Sequence, residues 1–474
     1  VSRTEWDVII IGAGASGENA ADRVVQGGLS AVVVENELVG GECSYWACMP
    51  SKALIRSGAA LRAAERVAGA REAVKGSLDV AAVFRRRDSF TSHWRDDGQV
   101  EWLAGAGIDL LRGHARLTGE RSVSVTAPDG TVTAITAKHA VVVSTGSAAM
   151  LPDIPGLAAL DPWTSREATS APGAPDSLAI IGGGVVAAEM ATAFASLGTN
   201  VTVVARSGLL GGLEPFAGEL VADGLAGLGV RVLSGVSPTR ARRAGGSVLL
   251  ELDDGSEVTA REVLVATGRT PITTDLGLEA VGLTPGDWLD TDDTLRVTGL
   301  DWLYATGDVN HRALLTHQGK YQARAAGDVI VARATGAPVS DQPWGAHVAT
   351  ADAAAVPQVA FTEPEVASVG LTAGQAQKAG HRIRVVDYDL GAIAGASLHA
   401  DGYAGRARMV VDEERRVLLG VTFVGADVGE LLHAATVAIV GEVPLDRLWH
   451  AVPAYPTMNE IWLRLLEEYG RDSA

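Results

Sequence analysis

The 474-residue chain reads as an α/β protein, with two successive strand–glycine-turn–helix units and an α+β domain toward the C-terminal end. Three observations predict this. A continuous apolar run ending in clustered glycines stands near the N-terminus, and a second run of the same kind follows residue 177. After about residue 346 the glycine turns stop and short alternating strands take over. Length agrees, since a chain of this size is expected to hold about three domains.

The first unit opens with Trp6-Asp7-Val8-Ile9-Ile10-Ile11, the continuous apolar run of a buried parallel strand. Gly12-Ala13-Gly14-Ala15-Ser16-Gly17 follows, and then a helical pattern through Ala20, Val24 and Val25. A second run, Ala31 to Val34, ends in Glu35, about twenty residues downstream of the glycines. Gly12 permits the tight turn, Gly14 lets a pyrophosphate approach the backbone, and Gly17 lets helix pack on strand. The helix N-terminus then faces the phosphates, and Glu35 can accept both ribose hydroxyls. Glycines alone would say little; strand, glycines, helix, strand and acid in order make a Rossmann-like dinucleotide-binding unit.

The order recurs. Leu178-Ala179-Ile180-Ile181 leads into Gly182-Gly183-Gly184-Val185-Val186-Ala187 and a helix that carries Glu189, Met190 and Phe194. The strand Val201-Thr202-Val203-Val204 follows, ending in Ala205-Arg206. Two such units imply two dinucleotides, and two dinucleotides point to electron transfer between them.

The remaining elements are read more coarsely. Residues 51–72 and 80–105 are predicted to be helical. From Ile108 to Thr136 the pattern alternates and turns at Pro128-Asp129-Gly130, as in a small antiparallel sheet. Val141-Val142-Val143-Ser144-Thr145-Gly146 closes the first region. The second unit runs to Val263-Leu264-Val265-Ala266-Thr267-Gly268-Arg269, and Leu303-Tyr304-Ala305-Thr306-Gly307-Asp308 reads as another strand ending in glycine and acid. The last region is predicted to place strands at Arg382 to Tyr388, Arg408 to Val411 and Leu418 to Phe423, with a helix near 427–440.

Composition narrows the function. A formal net charge of −18 disfavours nucleic acid or an anionic membrane surface as partner. No apolar stretch approaches the roughly 18 residues of a membrane span. The first strand begins by Trp6, which leaves no room for a secretory signal, and two cysteines in an acidic chain fit a reducing cytoplasm. Arg85-Arg86-Arg87 is the one basic run and is read as a solvated helix face.

Both cysteines lie in Gly40-Gly41-Glu42-Cys43-Ser44-Tyr45-Trp46-Ala47-Cys48-Met49-Pro50-Ser51-Lys52. In a regular helix their Cα atoms would stand roughly 8 Å apart. A disulfide needs less than about 7 Å, so joining them requires a distorted segment, and the Gly-Gly step permits one. Such a strained pair at a helix start would be the labile, redox-active kind. Spacing alone equally allows two reduced, buried thiols.

Taken over essentially the whole chain, these motifs resemble the FAD-dependent pyridine nucleotide–disulfide oxidoreductases, the family of lipoamide dehydrogenase, glutathione reductase, mercuric reductase and soluble transhydrogenase. The resemblance rests on Gly12, Gly14, Gly17 and Glu35, on the redox motif ending Pro50-Ser51-Lys52, and on Thr145-Gly146 and Thr267-Gly268. It rests also on Ala305-Thr306-Gly307-Asp308 and on Phe361-Thr362-Glu363-Pro364-Glu365. It implies an FAD-binding domain at 1–150 and 275–345, an NAD(P)-binding domain at 151–274 and an interface domain at 346–474 through which a homodimer forms.

Roles are implied for matched positions. Cys48 would lie against the flavin and Cys43 would be the outward, exchanging thiol. Gly41, Thr145, Gly146, Gly307 and Asp308 would help to hold FAD, with Asp308 at its ribityl or phosphate region. The helix starting near Thr316-His317 would aim its N-terminus at the flavin and favour the reduced anion. Lys52 would sit near flavin N5 and pair with Glu189, since neither charge could be buried alone without several kcal/mol of cost; the alternative for Glu189 is an exposed helix face. Gly182, Gly184, Ala187, Arg206, Gly268 and Arg269 would serve the nicotinamide nucleotide.

Two departures from the family matter. The disulfide reductases carry a histidine before Pro-Thr near the C-terminus, paired with a glutamate. Here the segment reads Pro453-Ala454-Tyr455-Pro456-Thr457-Met458-Asn459-Glu460, so tyrosine stands in the histidine's place while Glu460 is kept. Histidine titrates near neutrality and can take and return a thiol's proton, whereas tyrosine, at about 10, is a poor base. Tyr-Pro-Thr-Met-x-Glu looks like the mercuric reductase and transhydrogenase versions, yet the chain lacks the extra C-terminal cysteines of the former and keeps the redox pair that the latter usually lacks. His450 is read as structural. The second departure is Ala205, where an NAD-specific member has an acid. Its absence and the adjacent Arg206 favour NADP(H), with NAD(H) possible and a merely solvated Arg206 as the alternative.

The expected activity is therefore transfer of a hydride from NAD(P)H through FAD and Cys43–Cys48 to an acceptor such as a quinone. A lipoamide dehydrogenase-like thiol–disulfide reductase is the alternative, and a non-catalytic FAD-binding subunit is disfavoured because every redox and nucleotide motif is intact.

Overall fold

The computed structural model describes residues 3–471. It divides into two compact units: one of residues up to 50, 88–150 and 269–353, the other of 51–87, 151–268 and 354 onward.

In the first unit a seven-stranded sheet runs in the order Asp109–Arg112, Ala31–Glu35, Glu5–Ile11, Val132–Val143, Ser122–Thr126 and His114–Gly119, with Leu303–Ala305 also paired to Val132–Val143. Glu5–Ile11 is parallel to both neighbours, with Val8 opposite Ala31 and Ile11 opposite Val143. Its central residues Val8, Ile9 and Ile10 are fully buried, which explains the uninterrupted apolar run. Helix Ala15–Gln26 covers one face and packs against helix Thr316–Thr335, with Ala20, Ala21 and Val24 joining Ala323, Val329 and Ile330 in one core.

Two expectations are corrected here. Asp109–Arg112 pairs in parallel with Ala31–Glu35, so 108–136 is not a separate antiparallel sheet. The antiparallel strands extend the main sheet instead, because Val132–Val143 is twelve residues long and changes partner along its length. Its first half is antiparallel to Ser122–Thr126 and its second half parallel to Glu5–Ile11. Alternation reads alike in both cases. The helix expected over 80–105 is also broken, into Val80–Phe90 and Asp97–Gly105. Between them Ser92, His93 and Trp94 adopt φ values of 49°, 53° and 55°. Left-handed backbone costs an L-residue roughly 1–2 kcal/mol, so contacts must hold this turn. Trp94 Nε1 supplies one by donating to the Tyr45 carbonyl at 3.1 Å.

In the second unit four parallel strands, Arg231–Ser234, Asn200–Ala205, Ser177–Ile181 and Glu262–Val265, form one sheet. Helix Val185–Ser196 packs on it with an unbroken buried stretch from Ala187 to Phe194. A three-stranded antiparallel sheet, Pro238–Ala244, Ser247–Leu252 and Glu257–Ala260, accompanies it. The C-terminal part is a five-stranded antiparallel sheet ordered Pro357–Ala360, Glu365–Gly370, Val417–Gly425, Arg406–Asp412, Ile383–Asp389. Helices Leu432–Val440 and Glu460–Tyr469 cover it through Ala435, Ile439, Ile461 and Leu465 against Met409 and Phe423. The first two strands of that sheet escape sequence reading, as each is short and bounded by the turn Thr362-Glu363-Pro364.

Helix Cys48–Glu65 ends short of the predicted residue 72; its later residues Leu54 and Ile55 enter the core around Phe194. The basic run is only partly solvated. Arg85 and Arg86 are exposed, but Arg87 is buried and donates to the carbonyls of Thr169 and of Ala171, the latter at 3.0 Å. One residue in three turned inward is what a helix with an apolar face through Val83 and Phe84 imposes. Among the described residues, no helix is long and apolar enough to cross a membrane.

Candidate active site

The first glycine turn is a bare cradle at a helix N-terminus. A Cβ on Gly17 would meet the Gly12 carbonyl oxygen at 1.9 Å, so only glycine lets the helix start this close to the turn. Nothing lies within 4 Å of a Cβ built on Gly14, which leaves that backbone open to a ligand. The cysteine segment docks onto the same turn. Gly40 N–H donates to the Ala13 carbonyl at 2.8 Å, and a Cβ on Gly41 would stand 2.7 Å from Gly14 Cα. Gly41 adopts φ +61°, so both space and conformation demand glycine.

Glu35 is buried at the strand end expected of it. Its two oxygens accept the N–H groups of Ala13 and Glu37, each at 2.7 Å, so it braces the glycine turn as well as offering its remaining lone pairs to a ribose. Burial raises its pKa, against the pull of those two N–H donors. Across the turn, Ser144 Oγ lies 2.8 Å from Thr306 Oγ1, which accepts from Ser16 Oγ at 2.9 Å. Thr145 Oγ1 is buried and has no hydrogen-bond partner among the described residues. Asp308 accepts from Ser147 Oγ at 2.6 Å, and Arg269 reaches both Ser147 and, at 3.7 Å, Asp308. Arg269 therefore braces Asp308 in the first unit. An orphaned hydroxyl, an open glycine backbone and an anchored aspartate fit a bound FAD.

Between the cysteines the chain breaks its helix. Gly41–Tyr45 is a short helix, Trp46 at φ −134° ends it, and the long helix restarts at Cys48. This is the distortion that the spacing requires. The two thiols are hydrogen-bonded to each other, and Cys48 Sγ lies 3.2 Å from Thr316 Oγ1 at the start of helix Thr316–Thr335. The hydrogen bond to Cys48, burial and the Cys48 charge together push the Cys43 thiol well up; Thr316 and the Lys320 ammonium oppose this. His317, beside Thr316, is exposed.

One turn beyond Cys48 along its helix, Lys52 Nζ pairs with Glu189 Oε2 at 2.6 Å and lies 5.0 Å from the Phe361 ring centroid. Glu189 is buried, and its other oxygen accepts the Phe361 N–H at 3.0 Å. The exposed alternative for Glu189 does not hold. In the second glycine turn a Cβ on Gly183 would meet the Gly208 carbonyl at 2.1 Å, while Gly184 is open and caps helix Val185–Ser196, where Ala187 is buried. Ala205 is buried at its strand end, and Arg206 next to it is exposed.

The C-terminal segment separates its two polar residues. Tyr455 has 76 % of its surface exposed and Val452 has 84 %. Glu460, by contrast, is buried; it accepts the Gly395 N–H at 3.1 Å, with Arg464 3.8 Å away. Within one chain the glutamate thus anchors helix Glu460–Tyr469 and is not paired with Tyr455.

A dithiol docked on one nucleotide-binding turn, in a chain that carries a second such turn, has the layout of a nucleotide-dependent disulfide oxidoreductase. Residues 6–349 match the family described as pyridine nucleotide-disulphide oxidoreductase and residues 356–465 its dimerisation domain; the chain belongs to that family. The family is FAD-dependent and works with a pyridine nucleotide. A mercuric reductase of Staphylococcus aureus is 30% identical over 464 residues, covering 96% of this chain and 81% of that protein. A dihydrolipoyl dehydrogenase of Haloferax volcanii is 32% identical over 487 residues, covering 98% and 96% respectively. The solved structure of the HOCl-induced flavoprotein disulfide reductase RclA of Escherichia coli, as its Cu(II) complex, shares the fold with a TM-score of 0.84 at 22% identity, over 98% of this chain and 99% of that one.

Several residues of the site escape sequence reading. Ser147 and Asp352 act through networks: Asp352 accepts from Gln318 and Gln322, each at 2.9 Å, and Gln322 in turn accepts the Gly307 N–H at 2.8 Å. Asp96 accepts the Val39 N–H at 2.8 Å and so helps Trp94 to hold the cysteine segment. Lys320 acts on the Cys43 thiol from helix Thr316–Thr335, and Glu18, on helix Ala15–Gln26, interacts with Lys320 in turn. Only the placement of Glu18 directly after the glycine turn could have drawn notice.

Proposed function

We propose that the protein passes a hydride from NADPH, by way of FAD and the Cys43–Cys48 pair, to an acceptor other than lipoamide, such as a quinone. The observation that carries this is a redox-motif dithiol whose family histidine is replaced by an exposed Tyr455. Bound FAD supplies the two-electron relay between nucleotide and dithiol. Cys48, held by Thr316, is the flavin-side sulfur, and Cys43 is the exchanging one. The N-terminus of helix Thr316–Thr335, with His317 in its first turn, offers partial positive charge where negative charge develops. Lys52 places a cation in the same helix as Cys48, and Glu189 keeps that cation in position.

The chain is read as a homodimer, with the exposed Val452–Tyr455 stretch reaching the partner's site and the segment after residue 356 forming the interface. Sedimentation that shows an active monomer at assay concentration would count against this. Anaerobic reductive titration should take up about four electrons per subunit, two in flavin and two in Cys43–Cys48. Uptake of two, with both thiols reactive throughout, would show that the pair is not a redox disulfide.

Gly182, Gly184 and Ala187 are assigned to the nucleotide pyrophosphate, with Gly268 closing the site, and Arg206 to the 2′-phosphate. Arg206→Glu should therefore reverse the preference for NADPH over NADH. One charge-assisted contact is worth about 1.5–3 kcal/mol, roughly ten- to a hundredfold in affinity. Unchanged NADPH kinetics would place Arg206 outside the site.

The lipoamide dehydrogenase-like alternative draws on the relatives of that name, which are as similar to this chain as the mercuric reductases. The mercuric reductase reading is weakened by the chain's having only two cysteines. Steady-state assay with NADPH against lipoamide, glutathione disulfide and a quinone panel distinguishes these readings.

A further inference from the structure

Helix Thr316–Thr335 places Lys320 one turn beyond Thr316, and residues four apart share a helix face. Thr316 touches Cys48 on that face, so Lys320 stands on the dithiol side. The first turn of helix Ala15–Gln26 abuts it: Ser16 Oγ donates to the Gly319 carbonyl at 3.1 Å, and a Cβ on Gly319 would stand 3.5 Å from Ser16 Cβ. Two residues past Ser16 on the same helix, Glu18 carries a carboxylate that the Lys320 ammonium reaches electrostatically. Its Oε1 is buried and has no hydrogen-bond partner among the described residues. A carboxylate oxygen buried without a hydrogen-bond donor is costly unless a nearby cation offsets its charge.

We propose that Lys320 holds the negative charge of the reduced cysteine pair, and that Glu18 is a positioning residue that gates this charge by its own protonation. The inference rests on Cys43–Cys48 being the redox pair. When hydride equivalents reach the disulfide, the S–S bond breaks and two electrons with one proton leave a thiol and a thiolate. With tyrosine in the histidine's place, that thiolate needs another counter-charge, and Lys320 supplies it.

The field of Lys320 acts on both Cys43 and Glu18. Burial pushes the Glu18 carboxyl up to about 7, with Lys320 pulling it down and Glu35 pushing it further up. Tyr45 also feels Glu18, and Cys43 faces Cys48, Thr316 and Lys320. Below about pH 7 Glu18 is neutral, and the whole charge of Lys320 acts on the thiolate. Above it Glu18 is an anion and offsets that charge, so the thiol pKa climbs as the pH climbs. A lone thiol below its pKa gains roughly tenfold in thiolate per pH unit; this pair should gain clearly less between pH 6 and 8.

The test is alkylation of the reduced holoprotein by iodoacetamide across that range, with modification at Cys43 and Cys48 followed separately by mass spectrometry. The wild type should show the shallow profile. Lys320→Met should slow alkylation of the pair about tenfold at pH 7, Lys320→Arg should restore it, and Glu18→Gln should steepen the profile to tenfold per unit with FAD content unchanged. An unaltered profile in Lys320→Met or Glu18→Gln overturns the proposal. Loss of FAD from Glu18→Gln overturns it as well, because it makes Glu18 a cofactor ligand. Failure of the redox-pair reading shows separately, as two-electron uptake in the titration, and leaves alkylation measurable.

Discussion

Tyr455→His is expected to raise turnover of lipoamide and glutathione disulfide by about a hundredfold, while reduction of a quinone stays nearly constant. A positioned general base is worth roughly 10²–10⁴-fold. The lower end applies here because Glu460, which would orient such a histidine, is buried and already accepts the Gly395 N–H. The wild-type enzyme should correspondingly be a poor disulfide reductase. A quinone can also draw electrons from reduced flavin, with which the dithiol exchanges them, so it needs no thiol–disulfide step at Cys43 and should be insensitive to the change. Efficient wild-type turnover of lipoamide at neutral pH would overturn this and restore the conventional dehydrogenase.

Glu189→Ala should destabilise the second unit by about 2–4 kcal/mol and also lower the rate of disulfide reduction. Breaking a buried ion pair costs about 3–5 kcal/mol, but Lys52 keeps 35% of its side chain exposed and recovers part of its hydration. The Phe361 N–H loses its acceptor too, adding roughly 1–3 kcal/mol if no water replaces it. Glu189→Gln keeps an acceptor for that N–H and should recover the larger share of the stability without restoring the full charge pair. Urea unfolding followed by a probe in the second unit measures this. A loss below about 0.5 kcal/mol would mean that the pair is solvated in solution and holds nothing in place.

Much of the site was legible in the chain because its signals are local. Gly12, Gly14 and Gly17 must be glycine for reasons set within six residues, and the cysteine segment announces its distortion by its spacing. Glu35 was legible by position, while its use of both oxygens on the Ala13 and Glu37 N–H groups was not. Arg87 shows the opposite failure, since a basic triplet reads as solvated whichever member the helix turns inward.

What the sequence alone determined is the class: paired strand–glycine–helix units and an antiparallel C-terminal domain, which the family match and the fold bear out. Those features depend on period and backbone conformation, which are properties of neighbouring residues. Only the tertiary structure decided that the second oxygen of Glu189 holds the Phe361 N–H from 172 positions away, that Thr316 touches Cys48 from 268 positions away, and that Glu460 turns inward while Tyr455 faces out. A side chain's partner at such separations is fixed by how sheets and helices pack, and no pattern along the chain carries that information.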